Sequence, residues 1–210
     1  MDIIKNNIIF KYALFLVGLF IASMGVALST KAGLGTSPVS SIPYSVSLVN
    51  GMLTFGGWLN LLSVIQITIQ VILLRKNCKP IEIIIQTVLA FVYGYLTDFS
   101  CSLISGMIVK AYITRFAVML LSCVVLAFGI WVQLKGGVAM LPGEAMNRAI
   151  SQVSGYKYEN IKIIIDVAYI IIAAAVCLIF LGRLEGVREG SIIAAFLVGM
   201  IIKGYNRILK

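Results

Sequence analysis

Two short stretches concentrate the residues able to contact a solute. The first, Lys31-Ala-Gly-Leu-Gly-Thr-Ser-Pro38, sets Gly33, Gly35, Thr36 and Ser37 ahead of a proline. The second, Lys135-Gly-Gly-Val-Ala-Met-Leu-Pro142-Gly-Glu144, supplies Gly137, Pro142 and Glu144, with Asn147 three residues on. Glycine permits backbone shapes closed to other residues, and proline starts or ends helical segments. A helix beginning near Thr36–Ser37–Pro38 would aim free N–H groups at an anionic or carbonyl-bearing ligand. Two further acids, Asp98 and Asp166, fall inside long apolar runs, where a charge is costly and usually faces a cavity or a partner. Both are candidates for proton or cation coupling. Asp98 equally fits a solvated position at the outer interface, and Asp166 equally fits pairing with Lys162 one turn away. Gln66 and Gln70 share a helical face and suit bonding to neighbouring helices; Gln133 is a weaker candidate for lining a cavity.

What must position these residues is a membrane bundle. Of 210 residues 60% are apolar and 12% charged, with a mean hydropathy of +1.04, against about 45–50% and about 25% in soluble domains. The apolar runs are long and do not alternate, so helices rather than a closed barrel satisfy the backbone in lipid. Spans are expected over residues 8–29, 58–74, 81–104, 114–134, 160–181 and 191–208, the last interrupted by Lys203. Two readings of the Gly/Pro stretches stand: re-entrant or broken helices lining a site, and ordinary surface turns.

The chain carries an internal repeat. A shift of 104 residues aligns positions 11–47 with 115–151 without a gap and matches Gly25 with Gly129, Lys31 with Lys135, Gly33 with Gly137 and Pro38 with Pro142. Neighbouring offsets bring Ala90-Phe91 and Gly94 onto Ala195-Phe196 and Gly199, and Gln66 onto Asp166. Three spans per repeat is an odd number, so the second copy must enter the membrane from the other face. The expected fold is all-α, a single transmembrane domain of about six spans in two inverted repeats, residues 8–105 and 112–208. Placing both termini in the cytoplasm puts twelve of the 17 Lys and Arg on the inner side, as the positive-inside rule requires.

The net charge of +9 thus reflects topology; the basic residues cluster at span ends and form no stripe suited to nucleic acid. The four cysteines are scattered, with neither a disulfide framework nor a zinc spacing. Histidine is absent, which excludes His-based triads, relays and metal ligands. No metal, cofactor or enzymatic activity is expected. The basic, apolar N-terminus reads as a first retained helix rather than a secretory signal.

The run from Met24 to Pro38, with Ile42-Pro-Tyr-Ser45 behind it and Glu189 to Gly199 near the end, resembles the bacterial YczE/YyaS/YitT family of small membrane proteins over nearly the whole chain. The resemblance implies a multi-pass protein of the bacterial inner membrane and brings no established substrate or catalytic residue. On architecture the expected function is a secondary transporter or uniporter for a small solute. Thr36, Ser37, Glu144 and Asn147 would contact the solute, and Asp98 and Asp166 would serve coupling. Alternatives are a membrane-embedded binding subunit driven by an ATPase partner, since the chain has no nucleotide-binding motif of its own, and an accessory or scaffold protein. A homo-oligomer is compatible with each.

Overall fold

The computed structural model describes residues 8–75 and 78–208; Lys5, Lys76 and Lys210, counted above toward the inner face, lie outside them. The described residues form eight helices and no strand: α1 (Ile8–Ala32), α2 (Pro38–Val49), α3 (Phe55–Leu74), α4 (Pro80–Leu103), α5 (Tyr112–Gly136), α6 (Pro142–Ser154), α7 (Tyr158–Leu181) and α8 (Glu189–Ile208). Six of them, α1, α3, α4, α5, α7 and α8, are long and apolar enough to cross a bilayer. The chain is a polytopic all-α membrane protein. α8 runs unbroken through Lys203, a correction to the interruption expected there; a long side chain near a helix end can carry its charge outward without breaking the backbone ladder.

Helices α2 and α6 are 12 and 13 residues long, or about 18–20 Å, too short for a hydrocarbon core of about 30 Å. Pro38 and Pro142 open them, and Pro80 opens α4 in the same way; at the first helical position the missing N–H costs nothing and the fixed φ favours the turn. The Ser41 hydroxyl near the start of α2 donates to the Tyr169 carbonyl at 3.3 Å, midway along α7. Gly143 at the start of α6 lies against Gln66, midway along α3. Both short helices therefore begin at mid-depth beside a spanning helix.

The centre of the bundle is the seam between α1 and α5. A Cβ on Gly25 would sit 2.6 Å from the Leu126 nitrogen, and one on Gly18 2.7 Å from the Gln133 nitrogen. Gly129 presses in turn on the Ala22 backbone, and Gly136 lies against Phe15. Positions rise along one helix as they fall along the other, so the two run antiparallel. Without glycine the backbones could not approach this closely, and the Gln133 amide donates to the Gly18 carbonyl at 3.2 Å across the gap.

Each central helix carries a parallel partner. Ser23 and Ser100 share a 2.9 Å hydrogen bond between α1 and α4, with Phe20 beside Phe99. Between α5 and α8, Met119 and Cys123 cluster with Ala194, and Trp131 donates to Asn206 at 3.1 Å. α2 packs on α7, and α6 on α3. One seam lacks its counterpart: α3 packs along α4, whereas no comparable seam joins α7 to α8 among the described residues.

Gly25→Ala and Gly129→Ala are each expected to lower stability by about 1–3 kcal/mol through overpacking, read as thermal unfolding in detergent. The double variant should lose less than the sum, because either methyl already parts the helices. Unchanged unfolding in both single variants would contradict the close seam.

Candidate functional site

A cavity of about 590 Å³ lies where the two short helices begin. α2 contributes Ser37 through Ser40, α6 contributes Leu141, Gly143, Glu144 and Asn147, and α7 contributes Lys162, Asp166 and Tyr169. The remaining walls come from Gln86 and Tyr93 of α4, Gln133 of α5, and an apolar strip of α8 that includes Ala195, Val198 and Ile202. Ala195 and Gly199 of α8 are exposed along its side, and its other exposed lining residues, Glu82, Leu134, Gly137, Met140 and Arg148, lie at the end of the bundle that holds the start of α1 and the end of α5. The cavity opens there.

Helical spacing explains the polar side. Glu144 and Asn147, three residues apart on α6, share a face, and neither side chain has a hydrogen bond or ion pair among the described residues. Lys162 and Asp166 pair at 3.3 Å across one turn of α7 through Oδ2, while Asp166 Oδ1 is buried without a partner. Asn147 and Gln86, 3% and 5% exposed, each bury an amide oxygen with no donor. A buried polar group normally has a partner; of the seven buried side-chain atoms without one among the described residues, three line this cavity, the others being on Ser45, Asn60, Gln70 and Ser191. Tyr169, whose hydroxyl accepts from Gln66 at 2.9 Å, joins α3 to this wall.

The structure thus gathers Ser37, Gly137, Glu144, Asn147 and Asp166 around one space, with Pro142 placing α6 immediately behind them. It sets four other candidates elsewhere. Gly33 and Gly35 have φ of 61° and 100°, shapes that favour glycine, and they make the tight turn after α1. There Arg115 donates to the Ala32 and Gly33 carbonyls at 2.8 and 3.0 Å, and the Gly190 N–H donates to the Leu34 carbonyl at 2.8 Å. Thr36, 1% exposed, is buried beside this turn. These residues seal the end of the bundle opposite the cavity mouth, together with Gly186 packed on Ser45.

Asp98 caps a helix. Its Oδ1 accepts from the Gly56 N–H at 2.7 Å and its Oδ2 from the Thr54 hydroxyl at 2.5 Å, tying α4 to the first turn of α3. Sequence reasoning missed Gln86, Tyr93, Tyr169 and the α8 strip. A lone glutamine in the apolar run 81–92 is a signal that could have found Gln86; the α8 strip carries none, since small apolar residues look alike facing lipid or a cavity.

A family of unknown function, DUF6198, matches residues 9–207. The chain belongs to this family. It is also similar to an uncharacterized protein, YyaS of Bacillus subtilis (strain 168), with 26% identity over 201 residues that cover 95% of this chain and 94% of that protein. No solved structure matches it. The family match spans both glycine-rich stretches, both short helices and the whole cavity lining.

Asp98→Ala should destabilise the fold by about 1–2 kcal/mol, as loss of a helix cap does, while Asp98→Asn, whose amide oxygen still accepts from Gly56, should lose less. Thermal unfolding of both variants in detergent checks the order; equal losses would argue against the cap.

Proposed function

We propose that this protein is a secondary transporter or uniporter for a small solute, with residues 8–105 and 112–208 acting as inverted repeats around the cavity. The observation that carries the reading is a pair of half-length helices starting at mid-depth, both reaching a single cavity that is open at one end and sealed at the other. The antiparallel α1–α5 seam and the exchange of partners, α2 on α7 and α6 on α3, are what a two-fold axis in the membrane plane would produce. Transporters of inverted topology hold substrate near the bilayer midplane, where broken helices present their N-termini. A volume of about 590 Å³ lies within the roughly 300–1,000 Å³ of small-molecule sites.

The seal at the far end uses the counterparts of the elements that form the mouth: the turn after α1 in place of the turn after α5, and the start of α8 in place of the start of α4. Exchanging the two conformations between halves would carry the site from one face to the other. The basic excess at the mouth supports a cytoplasmic mouth by the positive-inside rule, with both termini on that side of a bacterial inner membrane. The reading is of a carrier rather than an enzyme.

Accessibility tests this without a known solute. In a variant whose four native cysteines are replaced by serine, a cysteine at Asn147 should react quickly with a membrane-impermeant maleimide added at the mouth. A cysteine at Ser191, now sealed, should react slowly but measurably with reagent added at the opposite face. Complete protection of Ser191→Cys from that face, in protein still labelled at position 147, would count against transport and favour a static binding or scaffold protein.

A further inference from the structure

The cavity's unmet chemistry identifies what it would hold, an inference that rests on the carrier reading for its consequence but not for its test. Three buried oxygens stand without donors around the polar wall, Asp166 Oδ1 and the amide oxygens of Asn147 and Gln86, and the Glu144 carboxylate beside them has no hydrogen bond or ion pair among the described residues. Lys162 already offsets Asp166. Arg148, one turn beyond Glu144 at the cavity mouth, is exposed, makes no ion pair among the described residues, and approaches the Met140 sulfur at 3.7 Å. One lysine beside two carboxylates leaves one negative charge over, and Glu144 is the carboxylate without an ion pair among the described residues. The start of α2 contributes a fixed positive end of about half an elementary charge, less than a full carboxylate, and Glu144 itself stands in the first turn of α6, where it offsets the other positive end. Facing these groups, Leu126, Ile130, Ala195, Val198 and Ile202 offer only hydrocarbon.

We infer that the cavity takes a small amphipathic solute bearing a protonated amine, its ammonium held by Glu144 with Asn147 and its apolar body against α5 and α8. An ammonium supplies both things the wall lacks, a positive charge and several donors in one compact group. A carboxylate or phosphate would instead meet Glu144 and Asp166, and a neutral alcohol would leave Glu144 without a counter-charge.

Three probes of equal chain length separate these cases: hexylammonium, hexanoate and hexanol, each added at the same millimolar concentration to detergent-purified full-length protein, with unfolding temperature as the readout. Hexylammonium should raise it and the other two should not. Glu144→Gln should weaken the hexylammonium response at least about tenfold in concentration, whereas Glu159→Gln, outside the cavity, should leave it intact. Asn147→Asp, which adds a carboxylate one turn away, should strengthen it, a gain that a misfolded variant cannot imitate. An equal response to hexanol, a larger one to hexanoate, no response to any probe, or an unaltered hexylammonium response in Glu144→Gln would each overturn the assignment. The maleimide result stands apart from all of these: an amine response with a permanently sealed Ser191 would retain the ligand class and discard transport.

Discussion

At Gly18, Gly25 and Gly129 there is no room for a side chain between α1 and α5. Gly25 meets the Leu126 backbone and Gly129 the Ala22 backbone, so the two helices touch main chain to main chain over their central turns. In lipid such contact matters more than it does in water, because hydrocarbon outside the bundle is as apolar as hydrocarbon within it, and association relies on close packing and interhelical hydrogen bonds. Everything else is hung on this pair. α4 and α8 flank it on parallel courses, and the short helices hang from α7 and α3. The cavity occupies the space left where two half-length helices replace a full-length one.

The treatment of polar side chains divides the molecule in two. Along the spans, hydroxyls bond back to carbonyls three or four residues earlier: Ser29 to Val26, Thr68 to Val64, Thr87 to Ile83, Thr97 to Tyr93 and Ser122 to Met119. These groups are satisfied within their own helix and ask nothing of lipid or neighbour. The amides and acids of the cavity wall have no such resort, and several of their oxygens stay unmet.

Much of the architecture is legible in the sequence because hydropathy and proline act locally. The six spans follow from apolar runs longer than any soluble core requires, and their ends shift by only a few residues because Tyr112, Tyr158 and Glu189 extend helices outward into polar sequence. Pro38 and Pro142 show where new helices begin. Function within a span is harder to see. An aspartate in an apolar run has the same appearance whether it faces a cavity, as Asp166 does, or caps a neighbouring helix, as Asp98 does through Thr54 and Gly56 more than forty positions earlier. Glycine is equally ambiguous: Gly137 lines the cavity, while Gly33, which aligns with it at a shift of 104 residues, lies under Arg115 and serves a tight turn. The two aligned glycines share a backbone conformation, with φ of 61° and 59°, but not their surroundings, and that difference exists only in the folded chain.

The central seam also sets an order of assembly. Gly25 and Leu126 lie on opposite sides of roughly 100 residues of intervening chain, which a ribosome adding about 5–20 residues per second takes roughly 5–20 s to produce. During that interval α1 lacks the helix it fits most closely, and α4, itself made only late in it, is available before α5. The first half must therefore tolerate lipid on the surface that becomes the centre of the finished protein, and docking of α5 has to displace that lipid. Cutting the chain between Leu103 and Tyr112 would divide it into two fragments whose closest fit is to each other.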